Sequence, residues 1–144
     1  MPLIHSDRPD AMHTVYSDGA CLYPDDPFLA RAAWGLSFVL ADGAELSVAG
    51  PVGGSQTAQR AEVTAALAAV CAIGTVIDLV SDSRYVVNGV AAIAAGVEAD
   101  EWRHADLWMR IAPHARSGHL RARWTPAHLE AGQATLEQTQ LLER

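Results

Sequence analysis

The chain contains no lysine: all ten basic residues are arginine, set against seventeen Asp and Glu, for a net charge of −7. Nucleic-acid binders carry a basic surplus, so composition alone argues against that class of partner. Cysteine is scarce as well. Cys21 and Cys71 are the only two, which excludes a disulfide framework and a cysteine zinc site of about four ligands. Both are expected to be reduced, half-buried thiols. No apolar run approaches the ~20 residues of a membrane span, so no membrane association is expected. The start, MPLIHSDRPDAMH, lacks the basic and apolar stretches of a secretory signal. An intracellular protein, cytoplasmic or nuclear, is the expectation.

What is present suits a single globular domain. Of 144 residues, 50% are hydrophobic and 19% charged, enough to bury a core without metal or disulfide help. Residues 1–12 carry no periodicity and read as a loose leader, with one domain over 13–144. The charge is unevenly spread. Residues 1–102 carry −9, residues 103–123 carry +4 and three histidines, and residues 124–144 carry −2. One short basic strip on an acidic body is either a solvated surface or a phosphate-tracking face.

Patterning divides the chain in two. Thr14, Val15 and Tyr16 favour extended backbone, predicting a strand over 13–22. Trp34, Leu36, Phe38 and Leu40 alternate over 32–41, Asp42-Gly43 is a hairpin turn, and a third strand returns over 44–50. Residues 57–73 then carry Val63, Ala66, Leu67, Val70 and Ile73 at helical spacing, with Gly74 as the expected C-cap glycine. The apolar run 75–81 predicts a strand buried on both faces. Helices follow over about 84–95 and 104–115, then a strand over 118–125, then a helix-compatible tail from about 129. The predicted class is α/β, with a mixed five-stranded sheet, an antiparallel three-strand meander and helices on both faces. Trp108 shares an apolar stripe with Leu107 and Ile111 and is expected in the core. Trp102 either packs the helix junction or touches nucleic acid.

Three acids fall where a core would exclude them. Asp18 lies inside the first strand, Asp82 at the handover from the buried strand to a helix, and Glu62 one turn into the first long helix. Each has an ordinary explanation: a strand-end residue, a helix cap, a first-turn acid favoured by the helix dipole. Taken together, three carboxylates at one sheet edge repel one another unless a cation neutralises them. Oxygen-only ligands at close range suit Mg²⁺ or Mn²⁺, and paired Mg²⁺ suits phosphoryl transfer.

Five segments, Ser-Asp-Gly-Ala (17–20), Gln-Arg-Ala-Glu-Val (59–63), Ser-Asp-Ser-Arg-Tyr-Val-Val (81–87), His-Ala-Asp-Leu-Trp (104–108) and Trp-Thr-Pro-Ala-His (124–128), stand in one order. In that order they resemble the type I ribonuclease H family, over about residues 14–128. The Gln-Arg-Ala-Glu and Trp-x-Pro-x-His wording is more similar to retroelement-associated members than to the cellular enzyme. The resemblance implies an endonuclease that cuts the RNA strand of RNA–DNA hybrids, leaving 5′-phosphate and 3′-hydroxyl ends. It implies two Mg²⁺ ions, replaceable by Mn²⁺, with Asp18 holding both and Glu62 and Asp82 holding the ion at the leaving oxygen. His128 would aid proton transfer or product release. Thr57, Gln59, Arg60 and Arg84 would contact the substrate.

Two departures from the family pattern stand out. The family's fourth carboxylate, in a Gly-Asn-x-x-Ala-Asp type of segment, has no counterpart, and Glu130 and Glu137 are the only nearby acids before Glu143. A chain cut before the motif, or an unusual C-terminus, is expected; a substituting Glu and impaired catalysis are the alternatives. The segment 90–102, where many members carry a basic handle, holds three acids and no base. A reverse transcriptase domain in the same polyprotein would supply the missing affinity through effective concentration. The competing readings are a catalytically impaired binding or scaffold module of the same fold, and a 3′–5′ exonuclease. The exonuclease is disfavoured because no acid lies two residues beyond Asp18.

Overall fold

Thr14, Val15 and Tyr16 open the sheet as predicted: in the computed structural model, β1 runs Met12–Leu22. The structure describes residues 12–39, 43–74 and 76–126. Strand β2 covers Arg31–Val39 and β3 covers Glu45–Pro51. Gly43 has φ +87°, the left-handed backbone that a tight turn requires. The order continues with α1 (Ala58–Ala72), β4 (Val76–Ser81), α2 (Arg84–Ala94), α3 (Ala105–Arg116) and β5 (Leu120–Trp124). The sheet order is β3-β2-β1-β4-β5. The meander β1-β2-β3 is antiparallel, whereas β4 is parallel to both β1 and β5.

Helix boundaries follow local chemistry. Thr57 caps α1, its hydroxyl accepting the Arg60 N–H at 3.1 Å. Alanines at 61, 65, 66 and 69 let α1 lie close on the sheet. Its C-cap is Ile73, in extended backbone, rather than the expected Gly74. The Ile73 N–H still reaches the Ala69 carbonyl, so the helix end is satisfied without a left-handed residue. Gly96, at φ +105°, follows α2 as expected. Strand β2 alternates in sequence but is buried at six of nine positions, because it is an interior strand whose alternate positions are small.

The three described helices touch one another, which places them on one face of the sheet. The expectation of helices on both faces rests, for the second face, on the tail, which lies outside the described residues. One core cluster joins Val15, Leu36 and Leu79 of the sheet to Val63, Val86, Ile93, Trp108 and Ile111 of the helices. Trp108 is fully buried, as expected. Its indole N–H donates to the Tyr85 hydroxyl at 3.1 Å, and that hydroxyl donates to the Arg103 carbonyl at 3.2 Å. Trp102 packs the helix junction, edge-on to Trp108 with ring centroids 5.3 Å apart. Cys21 is half-buried, but Cys71 is exposed rather than half-buried, since it falls on the outer side of α1. No helix among the described residues is long and apolar enough to cross a membrane.

Gly89 exists to admit Trp108: a Cβ there would stand 2.4 Å from the indole. Alanine normally favours a helix interior by about 1 kcal/mol over glycine. Overpacking a rigid, fully buried ring typically costs about 1–3 kcal/mol. Gly89→Ala should therefore lower stability in urea denaturation, by about 1 kcal/mol net on those magnitudes. A more stable variant would contradict the packing described.

Candidate active site

The site arises where parallel strands part. Ser17 and Ser81, both 2% exposed, form the last pair between β1 and β4. Beyond them β1 continues along β2, with Asp18 opposite Gly35. Strand β4 instead turns toward α2, carrying Asp82. The same turn ends the pairing of β4 with β5, at Ser81 opposite Trp124. A crevice at the carboxyl ends of parallel strands, where the chain leaves in different directions, is the usual ligand position in such sheets.

Asp82 is not the helix cap. Ser83 caps α2 by accepting the Val86 N–H at 3.2 Å, and the Ser81 hydroxyl accepts the Ser83 N–H at 3.0 Å. The capping explanation for Asp82 is thereby removed. One oxygen of Asp18 accepts the Gly19 N–H at 2.9 Å.

Glu62 is brought to these acids by a glycine. A Cβ at Gly19 would lie 2.6 Å from the Glu62 nitrogen and 2.8 Å from its Cγ. Only a residue without a side chain lets the first turn of α1 sit on β1 at this point. The Glu62 carboxyl is pushed up to about 6, chiefly by burial; Asp82 and Asp18 add to the rise, and a Ser83 hydrogen bond opposes it. The three acids thus feel one another's charge. Among the described residues, however, no group of three or more His, Cys, Asp or Glu side chains is drawn tightly enough to grip a metal as it stands. Both observations describe one state: like charges held near each other by the backbone, with their side chains not closed on a centre. The donor set is all oxygen, and one member has its pKa raised to about 6, so that nearby positive charge favours its ionised form. Those properties fit a hard divalent cation.

Beside the acids, across the first turn of α1, lies a cleft of about 640 Å³ lined by Ser55, Thr57, Gln59, Arg60, His104 and Asp106, among others. Arg60 is committed within its wall. Its guanidinium makes two bonds to Asp106, at 3.0 and 2.6 Å, and one to the Gly53 carbonyl at 2.6 Å. Asp106 is held below the usual carboxylate range by that hydrogen-bonded pairing. Thr57 spends its hydroxyl lone pair on the helix cap, while Gln59 is half-buried at the rim. Arg84 is exposed, and lies over the Trp124 ring. His128, Glu130 and Glu137 lie outside the described residues.

Two contributors were not legible as site residues. His104 adopts left-handed backbone, φ 64°, at the N-terminus of α3. Its Nδ1 meets Arg60 Nη1 at 3.2 Å. Arginine only donates, so Nδ1 accepts and the ring proton sits on Nε2. Burial, then Arg60 and Arg103, lowers the His104 pKa and keeps the ring neutral. Nε2 is buried and has no hydrogen-bond partner among the described residues. Gln56 ties the loop before α1 to β2, accepting the Ala32 N–H at 2.7 Å and donating to the Val52 carbonyl at 2.6 Å. The motif segment 104–108 flagged His104 without a role; nothing in the pattern around Gln56 signals its brace.

Comparison with known proteins agrees with this architecture. A family model described as RNase H matches residues 10–139. A Ribonuclease H of Cereibacter sphaeroides is 30% identical over 143 residues, 90% of this chain and 91% of its own length. A Ribonuclease H of a Caulobacter species is 31% identical over 125 residues, 79% of this chain and 77% of its own. Among solved structures, the prototype foamy virus protease-reverse transcriptase matches 97% of this chain with a TM-score of 0.67 at 20% identity. This chain spans only 22% of that protein. RNase H1 from Halobacterium salinarum matches 92% of this chain and 98% of its own, with a TM-score of 0.61 and 20% identity. The structural likenesses support the fold alone; the family model and the bacterial relatives carry the assignment. The chain belongs to the RNase H family and is a ribonuclease H, an enzyme that hydrolyses RNA in RNA–DNA hybrids.

Proposed function

We propose that the protein is a divalent-metal-dependent endonuclease whose chemistry is carried by Asp18, Glu62 and Asp82, and which leaves 5′-phosphate and 3′-hydroxyl ends. The supporting observation is the meeting of these carboxylates where β1 and β4 part, with Glu62 raised to about 6. Asp18 would hold two Mg²⁺ ions jointly, with Glu62 and Asp82 completing the site at the leaving oxygen, and Mn²⁺ replacing Mg²⁺. When bound, such ions polarise the phosphoryl oxygens and lower the pKa of attacking water. The protein's own part is to hold three carboxylates against their mutual repulsion, so that positive charge is favoured there. At pH near or below 6, Glu62 releases its proton as that charge arrives.

Substrate selection is proposed for the cleft beside the acids. A hybrid differs from duplex DNA by its 2′-hydroxyls, which polar groups in a wide, shallow minor groove can read. Gln59 and Thr57 stand at the cleft for that role, and Arg60, already paired with Asp106, holds its wall. His128 is assigned proton transfer or product release. The basic strip is weaker than its charge suggests, since Arg116 pairs with Glu98 at 3.0 Å and Arg123 with Asp78 at 2.9 Å. Binding in isolation is therefore weak and salt-sensitive, and a fused reverse transcriptase domain would raise it by effective concentration. An impaired scaffold module is not favoured, given relatives named Ribonuclease H at 30% identity over most of the chain.

Asp18→Asn should reduce Mg²⁺-dependent cleavage of an RNA–DNA hybrid by about 100-fold or more, since even residues that only orient metal ligands cost about 10–100-fold. The melting temperature should stay level or rise, because one of three repelling charges is gone. Cleavage at the wild-type rate would refute the assignment, and a steep loss of stability would make Asp18 structural.

The pH dependence follows from Glu62. Its folded pKa, about 6, lies above the value of roughly 4.3 for an unfolded chain. Neutral Glu62 therefore favours the fold below the unfolded value, and that contribution is lost as pH rises through about 6. In metal-free protein, Glu62→Gln should flatten stability against pH across that window, and carboxyl NMR should place the wild-type titration near 6. A Glu62 titration below 4.5 would exclude the coupled acid cluster.

A further inference from the structure

Arg84 and Trp124 form a unit at the same strand ends that the acids occupy. The Arg84 guanidinium carbon lies 3.8 Å from the centre of the Trp124 ring. Trp124 is fixed from another side as well: its indole N–H donates to the Asp82 carbonyl at 3.0 Å. The ring is the last residue of β5, paired with Ser81, so it spans the turn that carries Asp82. Yet Trp124 remains 38% exposed, unlike Trp108, which is fully buried. It is therefore not core filling.

The arginines differ in what they already hold. Arg60, Arg116 and Arg123 are each bonded to a carboxylate. Among the described residues Arg84 makes no hydrogen bond or ion pair, although Asp82 is two positions away; it lies instead on the indole face. A guanidinium carbon this close over a ring leaves N–H donors at the edge of its plane open to a ligand. That edge matches two oxygens of a phosphate. Seating on the ring also removes much of the rotamer freedom that an exposed arginine loses on binding.

We propose that Trp124 is a positioning residue that holds Arg84 on its ring face as a preformed clamp for a backbone phosphate of the nucleic acid entering the crevice beside Asp82. This rests on the hybrid-cleaving reading above. The ligand is a phosphodiester rather than a base edge. A base contact would make the loss in an Arg84 variant depend on hybrid sequence, whereas a phosphate contact makes it uniform.

The test is steady-state cleavage of several hybrids of different sequence, at fixed Mg²⁺ and several salt concentrations, with melting curves as a check on folding. Arg84→Ala should raise KM about tenfold, as loss of a charged hydrogen bond, and more than it lowers kcat. It should reduce the slope of log(kcat/KM) against log salt by about one unit. Trp124→Leu should raise KM about two- to fivefold, the scale of an exposed cation–π contact. In the Arg84→Ala background the same change should add nothing. Trp124→Phe keeps a ring face but loses the bond to Asp82, and should fall between wild type and Trp124→Leu. In the free protein, the Arg84 side-chain NMR signals should be ring-shifted and move when Trp124 is replaced by Leu. Additive effects of the two substitutions, a Phe variant as poor as Leu, sequence-selective loss, or unshifted Arg84 signals would each overturn the clamp while leaving the enzyme assignment in place. A wild type that cleaves no hybrid would overturn the assignment and the clamp together.

Discussion

The whole site depends on one contact with no side chain in it. Gly19 lets the first turn of α1 rest on β1, with space for no more than a hydrogen where any other residue would carry a Cβ. That approach fixes Glu62 beside Asp18. The same turn of α1 forms one wall of the neighbouring cleft, through Thr57, Gln59 and Arg60. Moving α1 outward by the width of a methyl group would separate the acids and reshape the cleft together, because the two share a single helical turn.

The second constraint is charge. The backbone places like charges together before anything is present to neutralise them, and burial, with Asp82 and Asp18 adding to it, raises the Glu62 carboxyl to about 6. The chain elsewhere spends its cations in pairs: Arg60 with Asp106, Arg116 with Glu98, Arg123 with Asp78. Exposed pairs of this kind contribute little to stability. Their larger consequence is that three of the arginines, two of them in the basic strip, are already engaged with carboxylates. An acidic protein of net charge −7 then binds a polyanion through placement rather than through a general positive field. Arg84 on its indole is one such placement.

Much of this architecture was legible in the sequence because it is written in local chemistry. β-branched and aromatic residues marked the strands, apolar spacing marked α1 and α3, and Asp42-Gly43 marked the hairpin. Asp18 and Asp82 stood out because charge is out of place at buried strand ends. What was not legible depends on contacts between distant parts of the chain. Ser83 rather than Asp82 caps α2, and two adjacent capping residues look alike until the backbone chooses. Ile73 closes α1 where glycine was expected, since an extended residue satisfies the same N–H. The meeting of Arg84 with Trp124 joins a helix start to a strand end forty positions away in the chain. Seating His104 in left-handed backbone likewise depends on packing against Arg60.

Mg²⁺ titration of the metal-free protein, followed residue by residue in NMR spectra, tests the central claim most directly. If backbone packing holds Asp18, Glu62 and Asp82 in mutual repulsion for a cation to relieve, millimolar Mg²⁺ should shift signals at residues 17–19, 61–63 and 81–83, and should lower the Glu62 pKa from about 6. Unchanged signals at those residues, with Glu62 titrating as before, would contradict it.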